Sequence, residues 1–139
     1  MDKDRDLKFF VRKPLQEASK VNAALKKVIE DFKAYKKGFH TPAFGREAPF
    51  HDPRPAAEQA ELMHIHLLSN KQIKHLRVAK INSSYRKTSD SFLVYTVGFL
   101  SSNKFYLIDY IENGAHSKTK DMDYMRWLIS QAESFRKSH

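Results

Sequence analysis

The chain has 139 residues, the size of one ordinary domain, and 41% of them are hydrophobic, enough to bury a core. Its 25 Lys and Arg outweigh 16 Asp and Glu, giving a formal net charge of +9 and pointing to a polyanionic partner: nucleic acid, an anionic membrane or an acidic protein. The absence of cysteine excludes disulfides, thiolate catalysis and Cys-ligated zinc or iron–sulfur centres, and no apolar run suits a membrane span or a signal peptide, so a single cytoplasmic domain over 1–139 is expected.

The charge is unevenly spread. Residues 1–38 carry eleven Lys/Arg against six Asp/Glu, and residues 39–68 carry two against four. Residues 69–88 carry six bases (Lys71, Lys74, Arg77, Lys80, Arg86, Lys87) and no acid. A solvated basic face is one reading of that run. The lack of interspersed acids favours nucleic acid.

In chain order, Leu7 to Val11 reads as a short strand that Pro14 ends, and Pro14 can open a helix. Between Glu17 and Lys37, Val21, Leu25, Val28, Phe32 and Tyr35 recur at helical spacing, as one helix or a broken pair ending near Gly38. Residues 39–57 contain Pro42, Gly45, Pro49, Pro53 and Pro55 and predict a loop, because prolines remove donors and fix φ. Glu61 to Leu68 predicts a strand with Met63, Ile65 and Leu67 on one face and Leu62, His64, His66 and Leu68 on the other. The basic run is expected to hold a short strand near Leu76 to Ile81. Ser91–Leu100 and Lys104–Ile111 predict a strong hairpin across Ser101-Ser102-Asn103. Asp121 to Lys137 predicts a helix, with Met122, Met125, Leu128, Ile129, Ala132 and Phe135 on one face and Asp121 as its cap. The fold class is α+β: a small antiparallel sheet, an N-terminal strand plus a three-strand meander, packed with a long N-terminal helical segment and a C-terminal helix.

Taken together, certain pieces resemble the YafO family of type II toxins, within the RelE-like superfamily. They are Asp31-Phe32 with Tyr35-Lys36, Phe44-Gly45-Arg46, His64-Ile65-His66-Leu67, Leu93-Val94-Tyr95, His116, Lys120-Asp121 and Ala132-Glu133-Ser134-Phe135-Arg136. Their order over residues 28–137 carries the resemblance. It implies a RelE-like fold and a ribosome-dependent mRNA endoribonuclease with a cognate antitoxin, cutting without a metal by attack of the ribose 2′-hydroxyl on the adjacent phosphate.

Such cleavage needs a base for the 2′-hydroxyl proton, an acid for the departing 5′-oxygen and a cation for the charge on the phosphorane. Histidine suits either proton role. His64 and His66 share a strand face, with Cα atoms roughly 6.6 Å apart. They can flank a phosphate, be hydrogen-bonded for structure, or bind a metal with His51 or His116 as a third ligand. Arg46 can grip a phosphate bidentately or pair with Glu47 or Asp52. His116 follows the hairpin, beside Lys118 and Lys120. The candidate catalytic set is therefore His64, His66, Arg46 and His116. The candidate RNA contacts are Lys74, Arg77, Arg86, Lys87, Lys120 and Arg136, with Tyr85 as a stacking neighbour. Tyr95 and Trp127 read as core. A C-terminal helix cation such as Arg136 also has a structural explanation. A second function class, a non-enzymatic RNA- or DNA-binding module, fits the charge, and the superfamily resemblance leaves a third, a toxin acting on another target such as a topoisomerase.

Overall fold

A computed structural model describes residues 6–139. The elements run β1 (Lys8–Val11), α1 (Lys13–Ser19), α2 (Ala23–Lys36), β2 (Phe44–Pro49), α3 (Ala56–Gln59), β3 (Met63–Leu67), α4 (Asn70–Val78), a 3₁₀ turn (Ser84–Arg86), β4 (Phe92–Val97), β5 (Lys104–Ile111), α5 (Ala115–Lys118) and α6 (Met122–Ser138). The five strands form one sheet in the order β1-β5-β4-β3-β2. Strands β2 to β5 pair antiparallel, and β1 joins β5 in parallel, with Phe9 opposite Phe105.

The α+β class and the β3-β4-β5 meander match expectation. One open alternative is resolved, and the readings of Val21, the proline-rich segment and the basic run are corrected. The N-terminal helical segment is a broken pair, because Asn22 caps α2 by accepting from the Leu25 N–H at 3.1 Å. Val21 consequently lies in the linker, 91% exposed, and does not join the apolar stripe. The proline-rich segment contains a strand: β2 sits at the sheet edge, where Pro49 at its end removes no needed donor. The basic run holds a helix, α4, where a strand near Leu76 to Ile81 is expected. Its signal is Ser69-Asn70-Lys71-Gln72, a capping box in which Ser69 Oγ accepts from the Gln72 N–H and Gln72 Oε1 accepts from the Ser69 N–H.

The sheet is covered on both faces. On one, Leu15, Leu25, Ile29 and Phe32 of α1 and α2 pack on Ile65, Leu93, Tyr95, Phe105 and Leu107. On the other, Met125, Leu128, Ile129 and Ala132 of α6 pack on Leu62, Phe92, Val94 and Ile108, with Ala57 and Ala60 beside them. Each large apolar side chain so buried contributes about 1.5–3 kcal/mol. This double cover explains the unbroken apolar run of β4, whose residues Phe92 to Thr96 are all buried. Buried Thr96 is satisfied by the carbonyls of Ala60 and Glu61, 2.8 and 3.0 Å from its hydroxyl. Asp121 caps α6 as expected, accepting from the Asp123 N–H at 2.9 Å. Trp127 departs from its core reading. It lies on the outer side of α6, 36% exposed, with the Arg12 guanidinium 4.8 Å above its ring.

Candidate functional site

The site forms where β2, β3 and β4 meet the segment that leads from the 3₁₀ turn into β4. His64 and His66 stand on the α6 face of β3, opposite Val94 and Phe92. Their rings are 5.4 Å apart, and the His116 ring is 5.9 Å from that of His66. Phe92 is the common floor: its ring lies 4.6 Å from His64, 4.7 Å from His66 and 5.2 Å from His116. Phe50 stacks on His64 at 4.2 Å. Arg46 approaches from β2 and lays its guanidinium on the exposed Tyr85 ring, 4.0 Å from the centroid.

The face of β3 that carries these histidines is covered. His66 is buried, with 4% of its surface exposed, and His64 is half-buried with its Nδ1 buried and lacking a hydrogen-bond partner. Burial, then the nearby His66 and Arg46, push the His64 imidazole down to about 4, against a weaker pull from the Ala48 backbone. At neutral pH His64 is uncharged. His66 is also held below its ordinary value, mainly by burial, with His116 and Arg46 adding to the effect and the Ser89 backbone opposing it. Ser89 offers Nδ1 of His66 two partners, an N–H at 2.8 Å and a carbonyl at 3.0 Å. Neutral His66 can accept from the first, and imidazolium can donate to the second, without the ring moving. Exposed His116 places Nδ1 2.8 Å from Asp90 Oδ1, and the same oxygen accepts from the His116 backbone N–H at 2.7 Å.

Gly45 is required by a close approach. A Cβ there would stand 2.1 Å from the carbonyl oxygen of Lys87, which accepts from the Arg46 N–H at 2.8 Å. The Phe44-Gly45-Arg46 motif is therefore the crossing point of β2 and the segment that carries Tyr85, Ser89 and Asp90. A different part of the motif set has a structural role that was not expected. Glu47 turns to the opposite face of the sheet from the histidines. There it accepts from Tyr35 at 2.8 Å, from Lys36 at 2.7 Å and from Tyr95. Burial alone would raise the Glu47 carboxyl, but Lys36 and the two phenols hold it below the ordinary value. The same carboxylate and burial push both tyrosines up. Tyr35, Lys36 and Tyr95 thus tie α2 to the sheet directly behind Arg46, and the tie confirms Tyr95 as core.

The other candidates scatter. Arg86 is exposed in the 3₁₀ turn, and Lys87 is half-buried beside Gly45. Lys74 and Arg77 lie exposed on α4, which buries none of its residues. Lys120 is exposed between α5 and α6. Arg136 sits at the other end of β4, roughly 16 Å along the strand from Phe92. There it donates to the Val97 carbonyl at 2.9 Å and pairs with Glu61 at 3.3 Å, which accounts for it structurally. His51 pairs with Glu58 at 2.8 Å on the surface and does not join the histidines. Among the described residues no three His, Asp or Glu side chains are spaced to hold a metal, and Arg46 beside His64 and His66 makes a cation unwelcome there. A cavity of about 610 Å³ opens beyond Ser89 and Asp90, between α2 and the start of α4. Its lining includes Asp31, Asp90 and Glu112 against Lys27, a balance that repels a phosphate chain.

The charge, the α+β fold and the grouping of an arginine with three histidines describe a small basic α+β protein of the size of a single toxin domain. The family described as Toxin YafO, type II toxin-antitoxin system, matches residues 31–137, and the chain belongs to that family. Membership implies a cognate antitoxin as partner. No curated relative and no solved structure matches the chain. No helix among the described residues is long and apolar enough to cross a membrane.

Proposed function

We propose that the chain is a ribosome-dependent mRNA endoribonuclease of RelE-like type, acting in the cytoplasm without a metal by attack of the 2′-hydroxyl on the adjacent phosphate and so blocking translation. The observation that carries this reading is the convergence of His66 and His116 on Phe92, with Arg46 near enough to His64 and His66 to depress both imidazoles, in a basic chain. Arg46 supplies the cation for the phosphorane, and His66 and His116 are the proton-transfer pair. Neutral His64, pressed between Phe50 and Phe92, orients the scissile group by hydrogen bonding and does not change charge.

Electrostatics supports the proton role of His66. Burial depresses its basicity most in the free protein, and the positive field of His116 and Arg46 adds to that. A bound phosphate would offset that positive field and raise His66 again, so its proton affinity rises with substrate in place. The exposed bases of α4 (Lys71, Lys74, Arg77), with Arg86, Lys87 and Lys120, would hold flanking RNA phosphates.

Primer extension on mRNA with purified protein and translating ribosomes is the test. Cleavage that needs ribosomes, and falls about 100-fold or more in Arg46→Ala, His66→Ala or His116→Ala, is expected. Folded protein that binds RNA in a salt-sensitive way but never cuts it would instead be a binding module, and the enzymatic reading would fall.

A further inference from the structure

We infer that the segment from Tyr85 to Asp90 is the positioning scaffold of the site, and that Asp90 is the carboxylate that holds His116 with its Nε2 lone pair turned toward substrate. The inference rests on the endoribonuclease reading for its purpose, but its geometry is independent of that reading.

Arg46, His66 and His116 are each held by this one stretch. Tyr85 lies under the Arg46 guanidinium. The Lys87 carbonyl accepts from the Arg46 backbone N–H. The Ser89 peptide brackets Nδ1 of His66. The Asp90 carboxylate meets Nδ1 of His116. The stretch is itself pinned on both sides. The Leu67 N–H donates to Ser91 at 2.8 Å, and the Ala115 N–H donates to the Asp90 carbonyl at 3.0 Å. Ser89 Oγ closes a turn onto the Ser91 carbonyl at 3.0 Å. Arg46, His66 and His116 come from three separated parts of the chain, so one shared anchor fixes their mutual distances.

For His116 the consequence is a defined tautomer. Asp90 Oδ1 is an acceptor only, so the facing Nδ1 must carry the proton and Nε2 keeps the lone pair. That is the orientation a general base requires, with a carboxylate ready to stabilise the imidazolium that forms when Nε2 takes the 2′-hydroxyl proton. The His116 backbone N–H on the same oxygen locks the carboxylate in place. Asp90 touches no substrate; it is a positioning residue.

A purely structural Asp90 would only tie the α5 turn to the β4 approach, and the two roles separate experimentally. In the full chain, long-range ¹H–¹⁵N spectra of the His116 ring should show the Nδ1–H tautomer. Asp90→Ala should move it toward Nε2–H, and Asp90→Glu should restore it at least in part. With ribosomes and mRNA, Asp90→Asn should lower kcat about 10-fold and leave KM within about 3-fold, because binding groups are untouched. An unchanged His116 tautomer in Asp90→Ala, in protein whose melting shows that it still folds, overturns the inference. If the tautomer shifts as expected while the wild-type chain never cuts RNA, the endoribonuclease reading fails and the positioning role of Asp90 stands.

Discussion

Gly45→Ala should damage both stability and the site through a single contact. The added Cβ would meet the Lys87 carbonyl oxygen at 2.1 Å, where real Cβ contacts are essentially never under 3.0 Å, so the carbonyl must retreat by about 0.9 Å. The atoms in the way are backbone, and no side chain can swing aside. The retreat stretches the 2.8 Å hydrogen bond from Arg46, a loss of about 1 kcal/mol. Forced repacking adds about 1–3 kcal/mol. A total of about 2–4 kcal/mol corresponds to a fall in Tm of roughly 6–14 °C for a domain of this length. The same shift carries Ser89 and Asp90 away from His66 and His116, and a misplacement of about 1 Å can cost on the order of 100-fold in rate. Gly114→Ala is the control. Gly114 has φ +70° but nothing within 4 Å of an added Cβ, so only backbone strain, about 1–3 kcal/mol, is expected. Thermal melting and ribosome-dependent cleavage are the assays. A Gly45→Ala protein that melts and cuts like wild type would refute the crossing-point argument.

His64 is neutral because it is buried, so protonating it opposes folding. Its folded value near 4 lies below the ordinary 6.5; its contribution is therefore intact above pH 6.5 and lost as pH falls from 6.5 toward 4. The cost at pH 5 is about 2 kcal/mol, so His64→Gln should lose less stability than wild type between pH 7.5 and pH 5, read by denaturant unfolding; equal losses would contradict the burial argument. Glu47 works with the opposite sign. Its carboxyl is depressed, so its contribution is present above the ordinary carboxylate pKa and lost as pH falls through the folded value. Melting against pH should show a drop in the acid range that Glu47→Gln flattens, and Glu47→Ala should cost about 3 kcal/mol by stranding half-buried Lys36. Replacing Lys71, Lys74 and Arg77 together with Gln should weaken RNA binding and reduce the salt slope by about 2–3, with Tm unchanged because α4 buries none of its residues; a salt slope equal to wild type would remove α4 from the interface.

Periodicity alone made β3, β4, β5 and α6 legible, because each buries one or both faces in a core that demands a regular apolar pattern. It also put His64 and His66 on one face of a strand. It did not reveal β2, an edge strand whose prolines read as loop. Nor did it reveal α4, whose apolar residues are half-buried (Ile73, Leu76) or exposed (Val78) and whose clearest mark is the capping box at Ser69 and Gln72. The family motifs singled out Arg46, the two β3 histidines and His116, but they did not distinguish site from support. Tyr35, Lys36 and Tyr95 belong to the Glu47 tie, and Arg136 to the Val97 carbonyl. Ser89 and Asp90 had no mark in the sequence at all. Their partners lie 23 and 26 residues away, and what selects them is a backbone crossing at Gly45 and the depth of the pocket floor at Phe92. Residue type and local spacing determine which chemistry a chain has to offer. Which groups meet, in what tautomer and at what distance depends on contacts between distant parts of the chain, and those exist only once the sheet has closed.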